Sequence, residues 1–354
     1  MEILEYKIQK GDTLESIAEM HGISVKELVD FHNRNCGVTQ QILWNKIPIH
    51  VTLLFINKKE NSNEPIETNY FPDDESTARY RCEQSVMTYI GEIMMNHVDT
   101  KREFLINKYQ EDNQAFVKVK LVENIIETYP EQMREAVDLL VDIDLIACNL
   151  LSTINFKSGK IKKIQNHQEI LDKWIKHRES IQSKYSYLRN PTTKSDLDRF
   201  ISTTDEIFNN HDKLVSWVNT KMFFDLFFDK YLVTNKGLTD PFTKTAYSQL
   251  FEGLPVKLNF RQDIIGESPD AINLRKVSEM VEGGFDSSTF KKIYDTKFLP
   301  LVKYKFSEFK LSYRENTMYD LQNRWITNSD VTIIEEIKNN IRIMISYKIY
   351  KIEV

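Results

Sequence analysis

Cysteine, glycine and long apolar runs are all scarce in this 354-residue chain, and each scarcity closes off a class of protein. The three cysteines, Cys36, Cys82 and Cys148, stand at no paired spacing. An odd, sparse set suits a reducing compartment rather than a secreted disulfide framework. Ten glycines leave no phosphate-cradling loop, and Gly283-Gly284 reads as a turn. No apolar run approaches the ~18 residues of a membrane helix. The longest, Ile49–Ile56, is interrupted in character by His50 and Thr52. A basic excess is also missing: 47 Lys and Arg stand against 52 Asp and Glu, for a net charge of -5. Phosphate binding needs a concentrated basic footprint, so nucleic acid is not the expected partner. Met1-Glu2-Ile3-Leu4-Glu5 has neither the basic start nor the apolar stretch of an export signal. The expectation is a cytoplasmic protein with no membrane partner.

What is present is enough apolar matter for a real core, 41% of residues with 11% aromatic. Motifs that carry chemistry are lacking. The histidines, His21, His32, His50, His97, His167, His177 and His211, fall in no His-Glu-x-x-His spacing, and no Cys-x-x-Cys occurs. No Gly-x-Ser-x-Gly elbow occurs either. Cys82 falls in an expected strand and Cys148 inside an expected helix, neither a setting for a nucleophilic thiol. Asp138, Asp142 and Asp144 read as the wet face of a helix. The chain is expected to be non-catalytic, with no cofactor and no metal.

The first fifty residues pattern as a small closed unit. Tyr6 and Ile8 alternate with Glu5, Lys7 and Gln9 as a short strand. Lys10-Gly11-Asp12 turns the chain, and Asp12 with Glu15 has the spacing of a capping box for a first helix striped by Leu14, Ile17 and Ala18. Gly22 follows its last turn. Ser24 and Glu27 repeat the capping spacing for a second helix, with Val25, Leu28 and Val29 inward and Asn33 at its end. A second strand is expected over Lys46–Val51, with Pro48 tolerable at a sheet edge.

Tyr6-Lys7-Ile8-Gln9-Lys10-Gly11-Asp12-Thr13-Leu14, followed by Ile17-Ala18, Leu28, Asn33 and Ile47-Pro48, resembles the LysM family over about residues 4–52. The resemblance implies a βααβ fold that binds peptidoglycan or chitin-like glycan through N-acetylglucosamine units. By position, the groove it implies would be lined by Gly11, Asp12, Thr13 and Leu14 on one side. Asn33, Gln41, Ile42 and Leu43 would line the other. Backbone amides and carbonyls would meet the acetamido group over an apolar floor. The chain departs from the family where a Gly-Gln pair is common and Trp44-Asn45 stands instead. That indole suits either a sugar ring or packing against another domain. Gly11, Asp12 and Leu14 would also keep their turn, cap and core roles in a LysM fold that bound no sugar.

Residues 57–78 are polar and broken by Pro65 and Pro72, which reads as a linker between a domain at 1–56 and another at 79–354. The larger part is expected to be α+β, an antiparallel sheet with long helices. Strands are expected at 79–90 and 116–122, a helix from Pro130 to about Leu151, and a hairpin over 154–164 turned at Ser158-Gly159. A helical pair follows over about 166–232. Its first helix is capped by Asn166 with Glu169, and its second starts at Ser195 and Asp198. The second runs unbroken through the aromatic face of Phe223, Phe224, Phe227 and Phe228. The part from 242 to 354 reads as strand-rich, through Val256–Phe260, Val302–Phe306 with a bend near Ser307-Glu308, Phe309–Tyr313 and Ile341–Ile349.

The reading that follows is a binding protein that recognises peptidoglycan-type glycans and reaches the wall by a non-classical route. A protein partner would be held through residues 79–354. The alternative is a cytoplasmic assembly or adaptor protein of a phage-tail-like or type VI-like contractile injection system, in which the LysM module serves for docking.

Overall fold

The computed structural model describes residues 3–9, 12–21, 23–36, 40–42, 47–48, 51–57, 75–112, 114–187, 189–251 and 253–353. The chain divides into two compact units, Met1–Ile66 and Glu67–Val354.

In the first unit, β1 (Ile3–Lys7) and β2 (Leu53–Asn57) pair antiparallel with Tyr6 opposite Leu54, around α1 (Leu14–Met20) and α2 (Val25–Asn35). Leu14, Ile17, Ala18, Leu28, Ile42, Val51, Leu54 and Ile56 form its core. The second strand therefore lies beyond the expected Lys46–Val51. Backbone pairing with β1 selects the later segment, and within the expected one Ile47, Pro48 and Val51 are irregular. Gly11, Gly22, Leu43, Trp44, Asn45, Lys46, Ile49 and His50 lie outside the described residues.

The second unit is one antiparallel sheet of eleven strands with helices on one face. A first meander runs β3 (Ser76–Ile90), β4 (Ile93–Glu111), β5 (Gln114–Tyr129), β6 (Leu150–Ile154) and β7 (Ile161–Ile164). A second runs β8 (Phe242–Tyr247), β9 (Pro255–Glu267), β10 (Ala271–Met280), β11 (Phe309–Asp320), β12 (Trp325–Ile337) and β13 (Ile341–Ile352). The two join where β13 pairs with β3, Ile349 opposite Cys82, so the sheet order is β7-β6-β5-β4-β3-β13-β12-β11-β10-β9-β8. Strand period is clear in the burial: Phe309, Leu311, Tyr313, Glu315, Thr317 and Tyr319 of β11 all face inward.

Several helix and strand limits differ from the sequence expectation. Helix α3 (Arg134–Ala147) ends at Cys148, and Leu150-Leu151 open β6 instead of extending it. Asn149 enforces the break: its amide donates to the Leu145 carbonyl while its oxygen accepts from Leu121 N–H. After α4 (His167–Lys184), the expected second helix begins earlier, at Pro191, where the Asn190 side chain accepts from the N–H groups of Thr192 and Thr193. It is also three helices, α5 (Pro191–Asn209), α6 (His211–Asn219) and α7 (Met222–Phe227), because Asn210 ends one and caps the next through Lys213 N–H. Val302–Phe306 is no strand: α8 (Ser287–Lys297) and α9 (Leu299–Val302) precede it, and Lys303 adopts a left-handed φ of 64° that ends α9. At the ends of the expected 57–78 connection, Asn57 closes β2 and Ser76–Ala78 open β3.

The aromatic run on α7 is core. Phe223, Phe224, Phe227 and Phe228 are all buried, each contributing about 1.5–3 kcal/mol on transfer from water. Phe223 stacks on Phe104 of β4 at 4.1 Å between centroids, and Phe227 meets Tyr80 of β3 and Trp325 of β12. Helix α7 thereby binds strands from both meanders. Lys160, just before β7, and Lys244 on β8 both donate to Asp225 of α7. The two edges of the sheet thus meet on one residue, which requires the sheet to curl around that helix.

Candidate functional site

In the first unit, the β1–α1 turn is organised by Asp12. Its Oδ2 accepts from the Tyr6 hydroxyl at 2.8 Å and from Gln9 N–H at 2.7 Å. The hydrogen bond to Asp12 raises the Tyr6 phenol above its ordinary pKa. The helix cap itself is Thr13, whose Oγ1 accepts from Ser16 N–H while Ser16 Oγ accepts from Thr13 N–H. The expected box of Asp12 with Glu15 is thus displaced by one residue, because Asp12 is already committed to the turn. The Ser24–Glu27 box forms as the spacing predicts.

On the other side, Asn33 ties the end of α2 to the segment beyond it. Its Nδ2 donates to the Ile42 carbonyl at 2.9 Å, its Oδ1 accepts from Ile42 N–H at 2.8 Å, and Gln41 Nε2 donates to its carbonyl at 3.4 Å. Leu14 and Ile42 are each 1% exposed. Both side chains belong to the same core, so each loop is held to a common apolar floor. Gly11 and Leu43 lie outside the described residues.

His32, which no motif singled out, does as much as Asn33. It is fully buried, and Phe55 N–H donates to its Nδ1 at 3.1 Å. An accepting Nδ1 leaves the ring proton on Nε2, which donates to the Gln40 carbonyl at 2.9 Å. The only sequence signal for this role was position, one residue before Asn33 on the inner side of α2.

Among the described residues of these two loops, the polar side chains of Asp12, Thr13 and Asn33 are spent on the fold. Asp12 holds the turn, Thr13 caps α1, and Asn33 uses both ends of its amide on Ile42. What they leave to a ligand is backbone N–H and C=O groups in a fixed arrangement, a chemistry suited to an amide-bearing neutral molecule.

Among the described residues of the second unit, a serine–histidine–aspartate cluster lies on the face of the sheet away from the helices. His97 Nε2 lies 2.9 Å from Ser85 Oγ and 3.0 Å from Asp99 Oδ1. A nucleophile–base–orienter set needs serine and carboxylate on opposite ring nitrogens. Here both compete for one nitrogen, so Asp99 does not orient the ring for proton abstraction from Ser85. Burial pushes the thiols of Cys82 and Cys148 up to about 12, which keeps them protonated at neutral pH.

Several buried charges elsewhere are paired. Lys276 Nζ reaches Asp229 at 2.7 Å and Glu315 at 3.0 Å, and Glu315 also accepts from the Tyr313 and Thr317 hydroxyls. Burial alone would lower the Lys276 ammonium, but the two carboxylates outweigh it and hold its pKa well above the ordinary value. Burial likewise disfavours the Asp225 carboxylate, yet Lys160 and Lys244 hold its pKa below the usual range. Asp144, expected on a wet face, is 13% exposed and pairs with Arg102 at 3.0 Å and Lys221 at 2.9 Å. The helix turns it toward β4, where a solvated carboxylate would leave Arg102 unmatched. Among the described residues no group of three or more metal-ligating side chains comes together. Nor is any helix long and apolar enough to cross a membrane.

The LysM domain family matches residues 6–31, the segment that carries β1, the Asp12 turn, α1 and most of α2. No curated protein matches the chain in sequence. A solved structure described as "Lipid-protein interactions in lipovitellin" is similar to this chain at 10% identity and a TM-score of 0.41. The similarity covers 80% of this chain and 25% of that one, so the chain spans about a quarter of the length of that protein.

Proposed function

We propose that this is a non-catalytic binding protein whose N-terminal LysM domain recognises N-acetylglucosamine-containing glycan of the peptidoglycan or chitin type. The observation that carries the reading is the LysM match over residues 6–31, on a segment in which Tyr6, Asp12 and Thr13 are engaged with one another or with the backbone. Such a loop pair offers backbone amides and carbonyls to an acetamido group, with Leu14 and Ile42 fixing the loops from below. The absence of a catalytic role is supported by the shared Nε2 of His97 and by thiols that stay protonated.

One shallow groove binds weakly, since a single module lacks the avidity of repeats. The full chain is expected to be retained on insoluble peptidoglycan and to bind N-acetylglucosamine oligomers with a dissociation constant of roughly 10 μM to 1 mM. Asp12→Ala, which frees Tyr6 and Gln9 N–H from the turn, is expected to weaken binding about tenfold, about 1.4 kcal/mol. Calorimetry with chitin oligomers is the measurement. No heat at millimolar oligomer, together with no retention on the wall material, would discard the reading and leave the module as a docking element of an injection-type assembly.

A further inference from the structure

The sheet of the second unit ends differently at its two edges. At β7 the edge is closed by side chains of α6. Ile161 N–H donates to Asn219 Oδ1 at 3.2 Å, and Asn219 Nδ2 donates to the Ile161 carbonyl at 3.1 Å. Ile164 N–H donates to His211 Nε2 at 3.1 Å. At the other end β8 is the last strand. Among the described residues, its outer edge receives only Gln249 Nε2, which donates to the Tyr247 carbonyl at 3.3 Å.

The register shows which groups of β8 are left over. Lys257 of β9 turns its backbone away from β8: its N–H donates to the Gly284 carbonyl at 2.9 Å, and its carbonyl accepts from Val281 N–H at 3.0 Å. Thr245 stands opposite Lys257. In such a non-bonded antiparallel pair both residues point their N–H and C=O outward. Thr245 therefore aims both groups past the edge, and by alternation so do Thr243 and Tyr247. Opposite Tyr247 is Pro255, which has no N–H to give. The side chains of Thr243, Thr245 and Tyr247 are exposed, Tyr247 by 52%. An inward lysine often guards a sheet edge, but Lys244 is matched by Asp225 of α7.

We infer that β8 pairs with β8 of a second copy of this chain, antiparallel about a two-fold axis at Thr245. A row of alternating donors and acceptors is the template for another extended strand. The segment is its own complement. With Thr245 facing Thr245 of the other copy, Thr243 of each meets Tyr247 of the other, and every facing pair exchanges two backbone hydrogen bonds. One face then carries a Thr–Thr pair flanked by two aromatic–β-branched pairs, combinations that favour pairing. On the other face Lys244 meets Ala246 and keeps its carboxylate. Because α6 closes the β7 edge, β8 has no second edge to add to, and assembly stops at two copies. The inference does not rest on glycan recognition, but two copies would carry two LysM modules, the repetition a lone shallow groove lacks.

The test is sedimentation equilibrium of the full chain, with amide exchange along β8. Expected are a reversible monomer–dimer equilibrium at micromolar concentration and protection of the Thr243, Thr245 and Tyr247 amides that rises with protein concentration. Thr245→Pro deletes an outward N–H, and Thr245→Lys sets two ammoniums face to face on the axis. Each should weaken the dimer about tenfold or more, with the melting temperature of the diluted monomer unchanged. Salt should restore part of the loss in Thr245→Lys, and that variant decides alone if the proline unsettles the strand. A chain still monomeric at hundreds of micromolar, a dimer indifferent to Thr245→Lys, or assembly beyond two copies overturns the inference.

Discussion

Lys276 and Glu315 face each other inside the second unit at 6% and 3% side-chain exposure. At that depth a charge is tolerable only when matched, and removing one partner of such a pair costs about 3–5 kcal/mol. Lys276→Met would leave Asp229 and Glu315 without their shared cation. It is expected to destabilise the unit by roughly that amount in urea unfolding. Adding Glu315→Gln should recover part of the loss, and a double-mutant cycle that shows no coupling would refute the network. At this scale sequence reasoning saw charges only as solvated surface. The helical period sets Asp144 about 200° round the helix from Asp142, away from the wet face, but it cannot say that Asp144 meets Arg102 of β4.

At the scale of elements, caps decide boundaries more firmly than apolar stripes. Asp286 caps α8 by accepting from the N–H groups of Ser288 and Thr289, whose hydroxyls also donate to it. Those hydroxyl and backbone donors hold its pKa down to about 2, against 3.8 for the free group. A folded pKa below the unfolded one means stability that is present above about pH 4 and lost as pH falls toward 2. The protection of α8 amides, measured relative to the unfolded chain at the same pH, is therefore expected to fall across that window in the native chain. In Asp286→Ala that protection should already be lower at neutral pH and unchanged by the same acid step. Val302, Tyr304 and Phe306 illustrate the weaker signal. Three apolar residues at period two suit a strand, yet Phe290, Tyr294 and Phe298, at helical spacing just before them, set the local structure.

At the scale of the molecule, strand β13 is the seam of the sheet. It pairs with β12 on one side and with β3, more than two hundred residues earlier, on the other. Such long-range pairing implies slow folding, since loop closure precedes any gain from contact. A chain ended after Asn340 loses the strand that joins the two meanders. It is expected to give no cooperatively folded second unit, as judged by circular dichroism and a melting transition. A truncated chain that still melted cooperatively would show that the meanders fold without the seam.

What the sequence by itself determined is local. The Gly-Asp-Thr-Leu segment with its capping spacings specified the βααβ opening, and alternation over Ile341–Ile349 specified the last strand, because turns, caps and period depend on neighbours in the chain. Tertiary structure alone decided the pairing of β1 with Leu53–Asn57, the breaks at Asn149 and Asn210, and the joining of β3 to β13. It also decided which charges would close into pairs. Each of these depends on register between distant strands, and register is fixed by which faces can be buried together, a property no short window of sequence contains.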